Sequence, residues 1–282
     1  TASVTEVSKS GSVPDLLFRN GGDIAVLLLD GEELIGAKQN RVLNLSILAP
    51  ASKTITIPVS CVEAGRWSRR TPEFQSSGRS MYARGRAAKV AQVSMSMRSG
   101  HSRSDQSEVW RDISEKAERM SVASETQAMS DIYESRGEKL DTYLTEFSVT
   151  ENQIGAMFEI DGAVAGLDLF DREGTLLRVL PKLVRSYALD AVEVSASQKK
   201  EASNERAANF FGLMAEAVVE RFPAAGLGED FRLTGWSVSG GALNVEGAIV
   251  HLYAFPVRSA RDSDGSNRVR SRIRRASMRR QP

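Results

Sequence analysis

Hydrophobic positions change their spacing twice along the chain, and each change marks a different kind of element. From Val4 to Trp67 they come in short runs bounded by Gly and Pro, the pattern of strands. Val4–Val7 and Leu16–Phe18 are short candidates. Ala25–Leu29 is apolar at every position, as for a strand covered on both faces. Asp30-Gly31 then supplies the turn chemistry of a tight hairpin. Arg41, Leu43, Leu45 and Ile47 alternate with Val42, Asn44 and Ser46, and Ile55, Ile57, Val59, Cys61 and Glu63 share one face of the next strand.

From 68 to about 150 the pattern reads as loop and helix. The stretch to Arg103 is rich in Ser, Arg and Met with weak periodicity, and is expected to be a mobile element. Asp105 and Glu108 have capping-box spacing at the start of a helix. Ile132, Tyr133, Arg136, Leu140, Tyr143, Leu144 and Phe147 form one amphipathic stripe. After Glu151 the expectation is a hairpin of Ile154–Ile160 and Val164–Phe170 closed at Asp161-Gly162. A helix follows through Leu176 to Ala191 that either begins near Pro181 or kinks there, with Asp171 as its N-cap. Ser195 and Gln198 have the spacing to cap a further helix with the face Ala207, Phe210, Phe211, Met214, Val218 and Phe222. Strands Phe231–Val238 and Val245–Phe255 close the fold, and residues 258–282 are expected to be disordered. The fold class is therefore α+β: an antiparallel β-rich module (1–67), a basic loop with helices (68–150) and a mixed α/β part (151–257) packed on the first as one composite domain, then an Arg-rich tail.

Composition narrows the function classes. With one cysteine among 282 residues no intrachain disulfide is possible, which favours a reducing compartment, the cytoplasm by default. The longest apolar run, Ile24–Leu29, has six residues against the roughly 20 a membrane helix needs, so no membrane partner is expected. No signal-peptide pattern is visible, and the start at Thr1 rather than Met leaves room for a preceding leader or strand. The net charge of +1 hides segregation: Arg66–Arg103 holds nine basic residues and one acidic (+8), Arg258 onward nine Arg and two Asp (+7), leaving the rest at −14. Such blocks imply either a polyanionic ligand or docking of one region of the chain on another.

Two polar clusters interrupt the apolar strands: Glu32, Glu33, Lys38, Gln39, Asn40 and Arg41, then Cys61, Glu63, Arg66 and Trp67. Lys38, Arg41 and Arg66 have donors suited to phosphate, Gln39 and Asn40 to base or ribose, and Trp67 offers a stacking platform. Glu33, Glu63 and Asp168 are the candidate catalytic carboxylates, and Glu32 is a candidate ligand-binding acid. The competing reading of each is structural: solvated acids in a turn, an ion pair for Arg66, a core anchor for Trp67, a surface position for Asp168. Cys61 lies in phase with Ile57 and Val59 and reads as a core cysteine, His251 as a satisfied sheet residue and His101 as solvated. Two His and one Cys make zinc unlikely, whereas Mg²⁺ could be held by Glu32, Glu33, Glu63 and Asp168. No phosphate-loop, dinucleotide or nucleophile-elbow motif is present.

The strings LLLDGEELIGAKQNRVLN, IPVSCVEAGRW, SDQSEVW, GLDLFD and LPKLVRSYALDA, in that order, resemble a bacterial and phage domain family. It is named for its association with ADP-ribosylglycohydrolases and rhodanese-phosphatase proteins. The resemblance spans roughly Val4 to Phe255. It carries across Glu32, Glu33, Gly36, Lys38, Gln39, Asn40, Arg41, Cys61, Glu63, Arg66, Trp67, Asp105, Gln106, Asp168 and Lys182. It implies a role in ADP-ribose or NAD-derived nucleotide metabolism, in a setting of phage or bacterial defence. The expected function is binding or processing of a small anionic nucleotide. The alternatives are nucleic-acid binding through 66–103 and the Arg-rich tail, and a scaffold that docks a protein partner.

Overall fold

The computed structural model describes residues 2–8, 10–194 and 201–257. The expected tail and the Ser195–Gln198 cap lie outside them. Eight strands come first: β1 (Ala2–Glu6), β2 (Asp15–Asn20), β3 (Val26–Leu28), β4 (Glu32–Gly36), β5 (Arg41–Leu43), β6 (Ile47–Ala49), β7 (Thr54–Cys61) and β8 (Phe74–Ser80). Six of them close a barrel in the order β1-β2-β7-β5-β4-β8, while β3 and β6 pair as a separate ribbon. Its core holds Leu16, Phe18, Leu34, Leu43, Ile57, Val59 and Phe74. The turn at Asp30-Gly31 exists, but it joins strands of different sheets rather than a hairpin. The Asp30 side chain turns inward and is 1% exposed, for a reason given below.

Four helices follow: α1 (Ala83–Met97), α2 (Gln106–Arg119), α3 (Met129–Ser135) and α4 (Gly137–Glu146). The expected mobile stretch is instead β8 and α1, and α1 is the central post of the molecule. Its Val93 and Met97 enter the barrel core, whereas Ala83 and Val90 pack with Tyr187, Tyr253 and Phe255. The α2 cap is as expected, with the Asp105 carboxylate accepting from the Ser107 and Glu108 amides. Gln106 clips the same helix to the barrel: its Oε1 accepts from Cys61 N and its Nε2 donates to Cys61 O, both at 2.8 Å. The single stripe expected from Ile132 to Phe147 is broken at Arg136 (φ −119°, ψ 9°), which ends α3 and starts α4.

The remainder is β9 (Gly155–Ile160), β10 (Ala163–Phe170), α5 (Glu173–Glu193), α6 (Asn204–Ala215), β11 (Val218–Pro223), β12 (Glu229–Thr234), β13 (Val238–Val245) and β14 (Ala248–Pro256). The strands form one antiparallel sheet in the order β11-β12-β13-β14-β10-β9. Asp161 (φ 51°) and Gly162 (φ 71°) close the β9–β10 hairpin as the sequence predicts. Helix α5 runs through Pro181 without ending. Asp171 is not its cap: Arg172 holds that position and no side chain caps the helix, so Asp171 pairs with Arg172 at 3.0 Å. The helix expected to reach Phe222 stops at Ala215, because β-branched Val218 and Val219 enter the sheet as its edge strand.

A buried polar network ties barrel, α1 and sheet together. Arg86 on α1 donates to Asp30 Oδ2 (3.2 Å) and, through both terminal nitrogens, to Asp168 on β10 (3.2 and 2.7 Å). Lys89 bonds Asp30 and donates to the carbonyls of Leu43 and Asn44 (3.0 and 3.3 Å). Asp168 also accepts from Tyr187 (3.0 Å) and meets His251 Nε2 at 3.3 Å, and the other His251 nitrogen meets Ser46 Oγ at 2.7 Å. Part of the basic block in 66–103 is thus taken up by the molecule itself: Arg66, Arg86 and Lys89 are buried, and Arg98 pairs with Glu220 at the surface. Region-on-region docking accounts for that part of the charge segregation.

The network extends to Arg232 on β12, whose Nη2 donates to Tyr253 Oη at 2.6 Å. The neighbouring strand supplies Gly241, where a Cβ would lie 1.7 Å from that nitrogen. Gly241→Ala is therefore expected to lower stability by about 1–3 kcal/mol, read as a fall in Tm. An unchanged Tm would show that Arg232 relocates freely.

Candidate functional site

Part of the two expected clusters meets at one end of the barrel: Lys38–Arg41 of the first with Glu63, Arg66 and Trp67 of the second. The β4–β5 hairpin turns through Ala37, which has φ 37°, and presents Lys38, Gln39 and Asn40 before Arg41 enters β5. The chain leaving β7 brings Glu63, Arg66 and Trp67 beside it. Glu63 takes Arg66 Nε at 2.8 Å on one oxygen and Arg66 Nη2 (2.6 Å) and the Asn40 amide (3.0 Å) on the other. Arg66 also donates to the carbonyls of Ala37 and Ser68 (both 2.8 Å) and Gly36 (3.3 Å), and to Asn40 Oδ1 (3.2 Å). Burial pushes the Glu63 pKa up, but hydrogen bonds from Arg66, the Asn40 amide and Thr126 outweigh it and hold the group below its ordinary value. This pair is a clasp on the hairpin: Arg66 has every nitrogen engaged, and Glu63 has no character of a base.

Arg41 differs. It is fully buried, and Leu43 two residues on packs in the barrel core, so the guanidinium shares that inward face. Its Nη1 donates to Gln39 O (3.0 Å), Gln39 Oε1 (3.2 Å) and Asn40 O (3.4 Å), whereas Nε and Nη2 have no partner among the described residues. Burial lowers its pKa, with Cys61 and Glu6 opposing the shift. Gln39 and Asn40 thus hold Arg41 and Arg66 in place. The Trp67 ring lies 5.7 Å from the Arg41 guanidinium and 5.1 Å from Lys38 Nζ, and the side chain is 48% exposed. Glu6 from β1 completes the cluster: Oε1 accepts from the Lys38 amide at 3.4 Å, and Oε2 is buried without a partner among the described residues. Composition and spacing gave no hint of Glu6, which reaches the cluster only through barrel closure.

Cys61 lies opposite Arg41 in the β5–β7 ladder. Burial pushes its thiol up to about 11 despite the guanidinium, so at neutral pH it is a protonated core group, as the sequence reading expects.

The remaining carboxylates go elsewhere. Glu32 accepts from Ser76 Oγ (2.6 Å) and Lys182 Nζ (2.5 Å). Asp168 sits in the central network, where burial is outweighed by Arg86 and His251 and its pKa falls well below the ordinary carboxylate range. It is a pairing group rather than a base. Glu33 stands opposite Val42 in the β4–β5 ladder and so faces outward, into the layer of α2, α3 and α5. Burial raises its pKa to about 7, with Ser77 and Arg79 opposing, and neither oxygen has a well-formed hydrogen bond. Of the three candidate catalytic acids, only Glu33 has the protonation behaviour of an acid–base group at neutral pH. The four acids considered for Mg²⁺ do not converge, and among the described residues no group of three or more His, Cys, Asp or Glu could hold a metal ion.

No helix among the described residues is long and apolar enough to cross a membrane. No curated protein and no solved structure matches the chain. A family model does match, over residues 1–255, which takes in the barrel, the helical layer and nearly all of the six-stranded sheet. The chain belongs to the ARG and Rhodanese-Phosphatase-superfamily-associated Protein domain family.

Proposed function

We infer that the barrel end around Arg41, Lys38 and Trp67 binds a small anionic nucleotide of the ADP-ribose or NAD-derived class. The observation that carries this reading is a fully buried guanidinium with two nitrogens unpaired beneath a half-exposed tryptophan. A buried cation with unused donors is costly, and an anion restores the missing interactions. The free Nε–Nη2 edge is the fork that grips two phosphate oxygens. Lys38 adds a second positive charge, and the open part of the Trp67 ring suits a base. Access runs past Lys38 and Trp67, whose displacement gives up two cation–π contacts worth about 0.5–1 kcal/mol each. The ADP-ribose class is supported by the family's association with ADP-ribosylglycohydrolases.

Isothermal titration of the full chain with ADP-ribose, NAD and ADP tests this. Arg41→Met is expected to weaken ADP-ribose binding by about a hundredfold, and Trp67→Ala by about tenfold. Loss of ligand should leave Arg41→Met folded, since Glu63 and Arg66 still clasp the hairpin. Absence of heat from all three compounds, or an unchanged Kd in Arg41→Met, would end the reading.

A further inference from the structure

A second concavity, of about 330 Å³, lies between α1 and the ends of β10 and β14, lined by none of the residues of the Arg41 site. One wall is the alanine stripe of α1, Ala83, Ala87 and Ala91 at successive i+4 positions, with Ala88 beside it. The facing wall is Ile160, Val164 and Phe255. Leucine at any of the alanine positions would fill the space, so the void is a consequence of side-chain size on one helix face. The concavity is open on the Ala88 side, and its mostly apolar walls suit the body of a small apolar or amphipathic ligand.

One cation stands at this cavity with its donors unused. The Arg84 amide donates to Asp190 Oδ2 at 2.8 Å, which fixes the backbone. Its guanidinium makes no hydrogen bond among the described residues, and its nearest ion pair is Glu193 at 4.0 Å. Glu193 is already taken by Lys116 at 2.7 Å and by Arg119. Asp190, the acid lining the cavity, is neutralised in the same way by Lys116 at 2.7 Å. Among the described residues Arg84 is thus the one cation lining the cavity, and its guanidinium is not hydrogen-bonded to either acid.

We propose that this cavity binds a small amphipathic carboxylate, its alkyl or aryl body against the α1 alanines and its carboxylate on Arg84. A nucleotide does not fit these walls, which offer almost no donors for ribose or base, so the site is separate from that around Arg41. The single anchoring charge predicts discrimination by head group, and the alanine wall predicts discrimination by bulk.

Titration calorimetry of the full chain with decanoate, decanol and decyltrimethylammonium, each below its micellar concentration, tests both. Decanoate is expected to bind about tenfold to a hundredfold more tightly than decanol, and the cation not at all. Arg84→Gln should bring decanoate to the decanol level while leaving decanol unchanged. Ala87→Leu should abolish both; Ala88→Leu, at an exposed position, serves the same purpose should Ala87→Leu fail to fold. Equal affinity for all three compounds, absence of decanoate binding, or unchanged affinity in the filled variants would overturn the proposal. Unaltered ADP-ribose titration in Arg84→Gln keeps the outcome independent of the Arg41 site.

Discussion

Asp168→Ala is expected to cost about 3–5 kcal/mol of folding free energy in a urea titration at pH 7. The carboxylate is fully buried and accepts from both terminal nitrogens of Arg86 and from Tyr187, with His251 at 3.3 Å. Its removal leaves a buried guanidinium with Asp30 alone, and Lys89 already shares Asp30. The penalty is that of an uncompensated charge rather than of one lost bond. A double-mutant cycle separates the two. Replacing both partners, Asp168→Leu with Arg86→Met, should cost clearly less than the sum of the single changes, because no charge is stranded. Linkage gives an independent check. Asp168 has its folded-state pKa depressed below the ordinary 3.8, so its contribution is complete above that value and is lost as pH falls below it. Acid unfolding of the wild type should therefore steepen below about pH 4, and that slope should weaken in Asp168→Ala. A cost under about 1 kcal/mol would show that barrel and sheet hold together by apolar packing alone.

Local chemistry was legible from the sequence and long-range pairing was not. The Asp161-Gly162 hairpin, the Asp105 cap and the in-phase Cys61 depend on neighbours a few residues away, and each stands where spacing put it. The polar cluster was legible in part: 38–41 and 63–67 flank strands β5 and β7, which pair directly, whereas Glu32 and Glu33 leave it. Helix α1 was hidden because its buried face carries Arg86, Lys89 and Ser94, the opposite of an apolar stripe. Those charges are buried because Asp30 and Asp168 meet them from 56 and 82 residues away, a separation no periodicity encodes. The same distance explains why Asp168 could not be told from a surface acid. The α3–α4 break had no Gly-Pro signal strong enough to override a continuous stripe. At Val218 and Val219 the β-branched pair was a usable cue against the helical reading.

Glu33→Gln is expected to stabilise the protein at pH 8 by about 3 kcal/mol, an unusual sign for a change at a fully buried polar position. Burial raises the Glu33 pKa from 4.5 to about 7. Between those values the unfolded chain has released the proton while the folded chain still holds it, so stability falls as pH rises through the window and stays low above it. Each pKa unit is worth about 1.4 kcal/mol, which sets the size of the effect. Asp230, raised by burial to about 6, adds a slope of the same sign that the substitution leaves in place. Urea titrations at pH 4 and pH 8 should therefore show the variant and wild type close together at the acid end and apart at the alkaline end. A variant less stable than wild type at pH 8 would mean that Arg79 pairs with a charged Glu33 and that burial is not the dominant influence. Glu33 is the one candidate catalytic acid that is neither clasped nor ion-paired, and it faces the helical layer rather than the Arg41 side of the β4–β5 ladder, so nucleotide affinity at Arg41 should survive in Glu33→Gln.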